Sequence, residues 1–440
     1  MSFDRRALLG GLTGLGASWG LSAGMAEATT PTPTLPTTPS RPRRLRKPIS
    51  SLTRRDPDIQ AYRMAIPLMQ QSGYWDAQIA LHADMSHRHH GSWRFLPWHR
   101  LQLVWFERQI ARLSGKADFA MPYWDWDDDR VPDLFYDDPV FLNPTREAGR
   151  GESIKGFLAN TGQRYTGRIT DNFATFFGRP RPGAAMASRY YSGSCEWSGH
   201  NMLHGFVGGD MGRLDRSPND PLFWLHHANI DRIWSVWHAR QSAGVYPQTW
   251  RNELLDGYID TNGRPVAPVY AATTLDTASF GYAYPVDATP PVVFLVGPES
   301  GGGAPTVKRV KDYAWAMKRI DAFTGEIDIS PAIAAGMSAT AIGYVEATPD
   351  PTATSVVNIV ATAKNDGREL FRDTIGMVGM GHVMGSQGHR ITLDKVWGQA
   401  RETGGIKLTA TAAPMAGRKS GESPAYLDTF VVDSRVSFGG

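Results

Sequence analysis

Ten of the chain's 12 histidines lie between His82 and His238, and this crowding constrains the fold more than any other feature of the sequence. An imidazole set among aromatic and aliphatic side chains must find hydrogen-bond partners or hold a metal. Two stretches are densest, "HHGSWRFLPWHR" (89–100) and "EWSGHNMLHG" (196–205). In the second, His200 and His204 are four residues apart, so on a helix they share one face with Cβ atoms about 5–6 Å apart. Two imidazoles placed that way can meet one metal. A zinc protease uses the same spacing but needs Glu directly after the first His; here Asn201 stands, which argues against that hydrolytic chemistry. His226 and His227 are adjacent, about 100° apart on a helix, so the spacing lets only one of them point fully at a site shared with His200 and His204. The first stretch and its surroundings offer His82, His87, His89, His90 and His99. His90 and His99 would face opposite sides of a single helix. That places His90 on a loop or helix end, and His99 near the start of the next helix. With His82 they make a second trio. Two all-histidine trios without a thiolate or carboxylate ligand motif favour copper, though imidazole also suits zinc, iron and nickel.

The remaining sequence frames this centre. With 440 residues, 41% hydrophobic and 20% charged, the chain can bury a sizeable core and has room for two or three domains. A net charge of +3 gives no reason to expect nucleic acid or a membrane surface as partner. The basic run Arg41, Arg43, Arg44, Arg46 and Lys47 reads as the solvated end of a linker. Cys195 is the only cysteine, so intrachain disulfides, cysteine-type zinc sites and iron–sulfur clusters are excluded. Residues 1–28 carry Arg5-Arg6, a Gly-rich apolar stretch and Ala26-Glu27-Ala28. They read as a twin-arginine-type signal, predicting export to the periplasm or beyond and no membrane partner after its removal. Residues 29–42 are a Pro/Thr linker. Over 43–285, "HRLQLVWFERQIARL" places Leu103, Phe106, Ile110 and Leu113 on one helical face behind Pro97, and "PLFWLHHANIDRIWSVWHAR" reads as another helix. Residues 286–305 form a second linker. Residues 306–440, with "SVVNIVATA", "GIKLTATAA" and "DTFVVDSRVSF", alternate as strands of a β-sandwich or barrel do. The reading is a multi-domain α+β chain: a mainly helical domain followed by a β-domain. The Met- and His-bearing run 376–389 reads as a Gly-rich turn with core methionines, a thioether contact to copper being the alternative.

"HHGSWRFLPWHRLQLVWFERQI", "MPYWDWDD", "EWSGHNMLHGFVGGDM" and "NDPLFWLHHANIDRIW", in that order, closely resemble the tyrosinases and catechol oxidases, the type-3 copper proteins. The resemblance covers 43–284. It implies a four-helix bundle holding two copper ions, with dioxygen as co-substrate and a small phenol as substrate. It makes His82, His90 and His99 the ligands of copper A, with His87 and His89 competing for the place of His82. It makes His200, His204 and His227 the ligands of copper B and leaves His226 behind them. Asp231, one turn after His227, is expected to orient an imidazole, or else to form a helix salt bridge with an Arg. Glu196 and Asn201 are implied to hold a water that helps take the proton of the incoming phenol; a helix-start carboxylate is the plainer role for Glu196. Gly205 and Leu214 imply an open entrance. Residues 83–89 contain no Cys, so the thioether of plant-type relatives is not expected here. The C-terminal β-domain is expected to cover the cleft. The implied activity is hydroxylation of monophenols to o-diphenols and oxidation of these to o-quinones. A diphenol-only catechol oxidase, a narrow o-aminophenol-type oxidase and a haemocyanin-type oxygen carrier are the alternatives.

Overall fold

A computed structural model of the chain describes residues 44–160, 173–180, 190–241, 244–285, 311–329, 342–348, 355–377, 387–392, 396, 403–415 and 426–436. The expected signal (1–28), the Pro/Thr linker (29–42) and the linker 286–305 lie outside these residues. So does most of the Met- and His-bearing run. Among the described residues no helix is long and apolar enough to cross a membrane.

The helix Phe95–Ser114 is the centre of the helical region. Pro97 sits in its first turn, where the missing N–H leaves nothing unsatisfied. Gly115 (φ 73°) ends it in the left-handed conformation that a residue without Cβ adopts freely. Of the expected apolar face, Leu103, Phe106 and Ile110 are buried and Leu113 is half-buried. The helix Leu222–Ala239 packs against it. Asp220 starts that helix by accepting from the Leu222 N–H at 2.8 Å. Phe106 and Trp224 stack flat between the two helices, ring centroids 3.4 Å apart. The helices Pro57–Ser72 and Tyr74–Ala83, joined through Gly73, lie alongside. The fifth contributor is short: a π-helical turn, Cys195–His200, runs into the helix Asn201–Val207.

The ends of the helical region are tied together. Arg44–Leu45 pairs in parallel with Tyr282–Ala283. This corrects the reading of the basic run as a solvated linker end. Arg44 donates to the Phe119 and Phe280 carbonyls at 3.0 Å each. Arg46 is completely buried, 2.9 Å from both Glu107 and Asp231, with its guanidinium 3.7 Å above the Tyr282 ring. Two carboxylates and an aromatic face offset the cost of desolvating that charge.

The β-region consists of two sheets. The six-stranded one has the order Gly178–Pro180, Tyr190–Ser192, Gln387–Thr392, Ile342–Thr348, Tyr426–Val436, Lys311–Ala316. The five-stranded one has the order Glu369–Met377, Ser355–Ala363, Ile406–Pro414, Thr324–Ile329, Lys318–Arg319. Alternation sorts the faces: Val357, Ile359 and Ala361 point into the same core as Ile406, Leu408 and Ala410. Trp197 of the π-turn joins that core, and Tyr190–Ser192 joins the six-stranded sheet. The β-region is thus built onto the segment that carries His200, and the chain from Thr38 onward forms one compact unit.

Candidate metal centre

Each histidine is delivered by a different local device. His82 ends the helix Tyr74–Ala83, and His99 sits one turn into Phe95–Ser114. His90 lies on the loop between them, where Arg88 (φ 54°) and Gly91 (φ 63°) turn the backbone through the left-handed region. His200 closes the π-turn, a one-residue helical expansion of the kind that re-aims side chains at functional sites. His204 follows on the next helix, and His226 and His227 share the second turn of Leu222–Ala239.

The six expected ligands come together. Ring centroids of His82, His90 and His99 are 4.7, 4.9 and 5.5 Å apart. Those of His200, His204 and His227 are 4.3, 4.9 and 5.7 Å apart. The two trios touch where His99 stacks on His227 at 4.3 Å. Nitrogens close enough to share an ion form three groups: His200, His204, His226 and His227; His82, His99 and His227; and His82, His89 and His90.

Hydrogen bonding assigns the tautomers. Nδ1 of His82, His99 and His204 lies 2.9, 2.8 and 2.6 Å from the carbonyl oxygens of Leu214, Phe95 and Met211. Nδ1 of His200 lies 2.8 Å from Oδ1 of Asn201. Oxygens of this kind only accept, so each Nδ1 carries the hydrogen and Nε2 is left as a bare lone pair. All four Nε2 atoms are buried without a partner, as are both nitrogens of His90 and His227. An unpaired buried polar group costs roughly 1–3 kcal/mol, so this many in one place marks a set of ligands. Burial first, and then mutual repulsion, holds these imidazoles well below their ordinary pKa, and burial takes His204 to about 4 against the upward pull of the Met211 carbonyl. They are neutral at pH 7, the form that ligates. The donor set is all imidazole, which fits copper. Backbone carbonyls behind the rings supply the outer support that metal-binding histidines need.

Of the competitors for the place of His82, His87 is engaged elsewhere, whereas His89 keeps a bare Nδ1 within reach of His82 and His90. His87 faces Asp256 at 3.2 Å and Asp84 at 3.4 Å, near the surface. His89 stacks on Trp98 at 3.8 Å and points Nε2 at the His82 carbonyl, 3.0 Å away.

Asp231 takes the second of its two expected roles, the ion pair with arginine, and orients no imidazole. Its oxygens meet Arg100, Arg46 (2.9 Å), Tyr282 (2.7 Å) and Tyr284 (2.7 Å), because two buried guanidiniums need its charge more than a neutral ring does. Gly205 and Leu214 do not frame an open entrance: both are buried, and Leu214 serves through its carbonyl. The strand Glu369–Met377 packs over the helix Asn201–Val207, so close that a Cβ at Gly376 would come within 2.7 Å of the Met202 sulfur. Asn201 is occupied at both ends, by His200 and by the Gly376 carbonyl, to which Nδ2 donates at 2.8 Å. It orients a ligand through one end and ties down the covering strand through the other.

Glu196 keeps a free atom. Oε1 accepts from the Gly91 N–H at 2.7 Å, tying the π-turn to the His90 loop, and Oε2 is buried and bare. Burial pushes the carboxyl up to about 8, against the pull of the Gly91 and Ser92 N–H groups. Neither the supporting carbonyls nor the Arg46 clamp is signalled in the sequence. Backbone oxygens have no residue signature, and Arg46 looked like one more charge in a basic run.

The pattern described as the common central domain of tyrosinase matches residues 72–183 and 160–240. The tyrosinase of Streptomyces antibioticus is 34% identical over 238 residues, 46% of this chain and 85% of that protein. The chloroplastic polyphenol oxidase of Spinacia oleracea is 31% identical over 246 residues, 46% of this chain. The chain covers only 38% of the length of the spinach protein and 39% of the chloroplastic (+)-larreatricin hydroxylase of Larrea tridentata. In fold, the chain is similar to latent apple tyrosinase, with a TM-score of 0.65 at 18% identity over 92% of this chain and 99% of that one. A latent aurone synthase gives 0.61 at 18% identity, over 90% of this chain and 91% of that one.

Proposed function

The chain belongs to the tyrosinase family, and from that premise we propose that it is a copper-dependent phenol oxidase, hydroxylating monophenols and oxidising o-diphenols to o-quinones. One observation carries the reading: four imidazoles with Nδ1 fixed and Nε2 bare converge in a buried cluster. His82, His90 and His99 would hold copper A; His200, His204 and His227 would hold copper B. Two coppers bound there supply the redox chemistry, passing electrons from the phenol to dioxygen.

The chain's own residues do the rest. The Leu214, Phe95 and Met211 carbonyls and Asn201 hold the rings in place, so little reorganisation accompanies turnover. Phe95 and Phe223 lie edge-on or tilted against the cluster and keep water out. Glu196 brings a carboxyl with a bare oxygen to the His90 loop. Bound cations favour its ionised form, and Oε2 then accepts the phenol's proton. This favours monophenol hydroxylation over diphenol oxidation alone. The strand Glu369–Met377 acts as a cover, in keeping with the latent forms of the two similar structures. The twin-arginine-type leader makes the enzyme an exported one.

The test is oxygen uptake and quinone formation by the copper-loaded chain, intact and cut within 286–305, with a monophenol and its catechol. Quinone from both phenols is expected, faster after the cut. Quinone from the catechol alone makes it a catechol oxidase. Reversible oxygen binding with no quinone from either form overturns the oxidase reading in favour of a carrier.

A further inference from the structure

His82, His99 and His204 are held by backbone carbonyls, which only accept, so the helical region itself fixes their Nδ1 hydrogens. His200 is held differently. Its Nδ1 lies 2.8 Å from the Asn201 side chain, and an amide side chain has an accepting oxygen at one end and a donating NH2 at the other. The second partner of Asn201 decides which end faces the ring. That partner is the Gly376 carbonyl, which accepts from Nδ2 at 2.8 Å. Turned round, the amide would set oxygen against oxygen at Gly376 and donate to Nδ1 of His200. The ring's hydrogen would then move to Nε2, and the cluster would lose that lone pair.

The deciding carbonyl lies 175 residues further along the chain, in the β-region. Two features hold it in place. Gly376 has no side chain; a Cβ there would come within 2.7 Å of the sulfur and 3.2 Å of the backbone nitrogen of the buried Met202, so a glycine in mid-strand permits the approach. Trp197, three residues before His200, packs into the same β core as Ile375. The β-region therefore grips the chain just before and just after His200.

Resting on the dicopper reading, we propose that the strand Glu369–Met377 is a positioning element of the B side: its Gly376 carbonyl, acting through Asn201, keeps the hydrogen of His200 on Nδ1 and leaves Nε2 open to copper. The cover is then part of the site it covers. Lifting it frees the Asn201 amide to turn, and one ligand of copper B loses its fixed form while His82, His99 and His204 keep theirs. Linkage makes the effect mutual: copper on His200 tightens the strand by as much as the strand tightens the copper.

The experiment uses the full chain with Gly376→Val, whose side chain meets Met202, and the same change combined with Met202→Ala, which makes room for it. Histidine ring-nitrogen magnetic resonance of the metal-free chain reports which nitrogen carries the hydrogen, His200→Gln identifying the His200 signals. Release of copper to a chelator is read separately on the loaded chain. In Gly376→Val, His200 is expected to leave the Nδ1-hydrogen form while His82, His99 and His204 keep it, and one of two coppers is expected to leave at least about tenfold faster. Adding Met202→Ala restores both. Gly376→Ala, a smaller intrusion, gives the same changes in lesser degree and decides the matter where the valine variant does not fold. An unchanged His200 in Gly376→Val, or all four rings changing together, overturns the proposal. Fewer than two coppers in the unmodified chain overturns the dicopper reading instead, and the metal-free ring signals still decide whether the strand sets the form of His200.

Discussion

On the helix Leu222–Ala239 one turn separates His227 from Asp231, and the two side chains stand in opposite kinds of polar interior. Around Asp231 every need is met. Burial alone would raise its carboxyl, but Arg100 and Arg46 override this and hold it below its ordinary value, with Tyr282 donating as well. Around His227 nothing is met: the nitrogens are bare, and burial and neighbouring rings hold the imidazoles neutral. A satisfied buried network fixes one packing of the chain. An unsatisfied one leaves donors facing each other for a guest. The first ties the N-terminal strand, the two long helices and Tyr282 together, and so provides the rigid wall against which the second can stay open.

The sharpest way to break this contrast is to remove a bare donor. His204→Ala is expected to abolish quinone formation and take bound copper from two ions to one, and also to lower the melting temperature of the metal-free chain, since it strands the Met211 carbonyl and leaves a cavity. Metal analysis and calorimetry check both halves.

The next effect is on pH. The buried imidazoles have folded pKa values below about 6.5, so the unfolded chain takes up protons first as pH falls. Their contribution is present above about pH 6.5 and is lost below it, at about 1.4 kcal/mol per pH unit for each ring. Glu196 acts in the opposite sense: its raised pKa favours the folded state at low pH, and that advantage fades as pH rises toward about 8. Several rings outweigh one carboxyl. Denaturant unfolding should show the metal-free chain much weaker at pH 5.5 than at 7.5, and copper loading should raise stability at both values without removing the difference, because ligated rings take up no protons in the folded state either. Equal stability at both values would contradict the account.

Breaking the satisfied network costs somewhat less. Asp231→Asn leaves the buried Arg100 without a carboxylate and Arg46 with Glu107 alone, and should lower stability by about 3–5 kcal/mol, with two coppers still bound to the folded fraction. A loss of copper without loss of stability would mean that Asp231 belongs to the metal centre after all.

The smallest effect sharpens the reaction. Glu196→Gln removes the proton acceptor and keeps the bond from Gly91. Monophenol turnover should fall about a hundredfold with catechol turnover little changed; a parallel fall in both would assign Glu196 to anchoring the His90 loop.

How much of this was legible follows the same division. His200 and His204 announced themselves by a helical spacing, and the long helices by their apolar faces. His90 and His99 required the inference that nine residues cannot keep them on one helix face, and the structure shows the loop that separates them. The satisfied network was hidden. Arg46, Glu107, Asp231 and Tyr282 are spread over more than two hundred residues, and each looks ordinary in its own neighbourhood. The entrance was misjudged for a related reason: Gly205 and Leu214 are small or apolar where they stand, but the strand that covers the neighbouring helix comes from Glu369–Met377, far along the chain.

The central claim, that the bare imidazoles form one paired copper centre, is most directly tested by electron paramagnetic resonance of the full chain after copper(II) loading, beside its copper content by mass spectrometry. The account predicts two coppers per chain with most of the copper(II) signal missing, because the two ions are held close enough to couple. Two coppers with the full signal of isolated ions, or one copper alone, would contradict it.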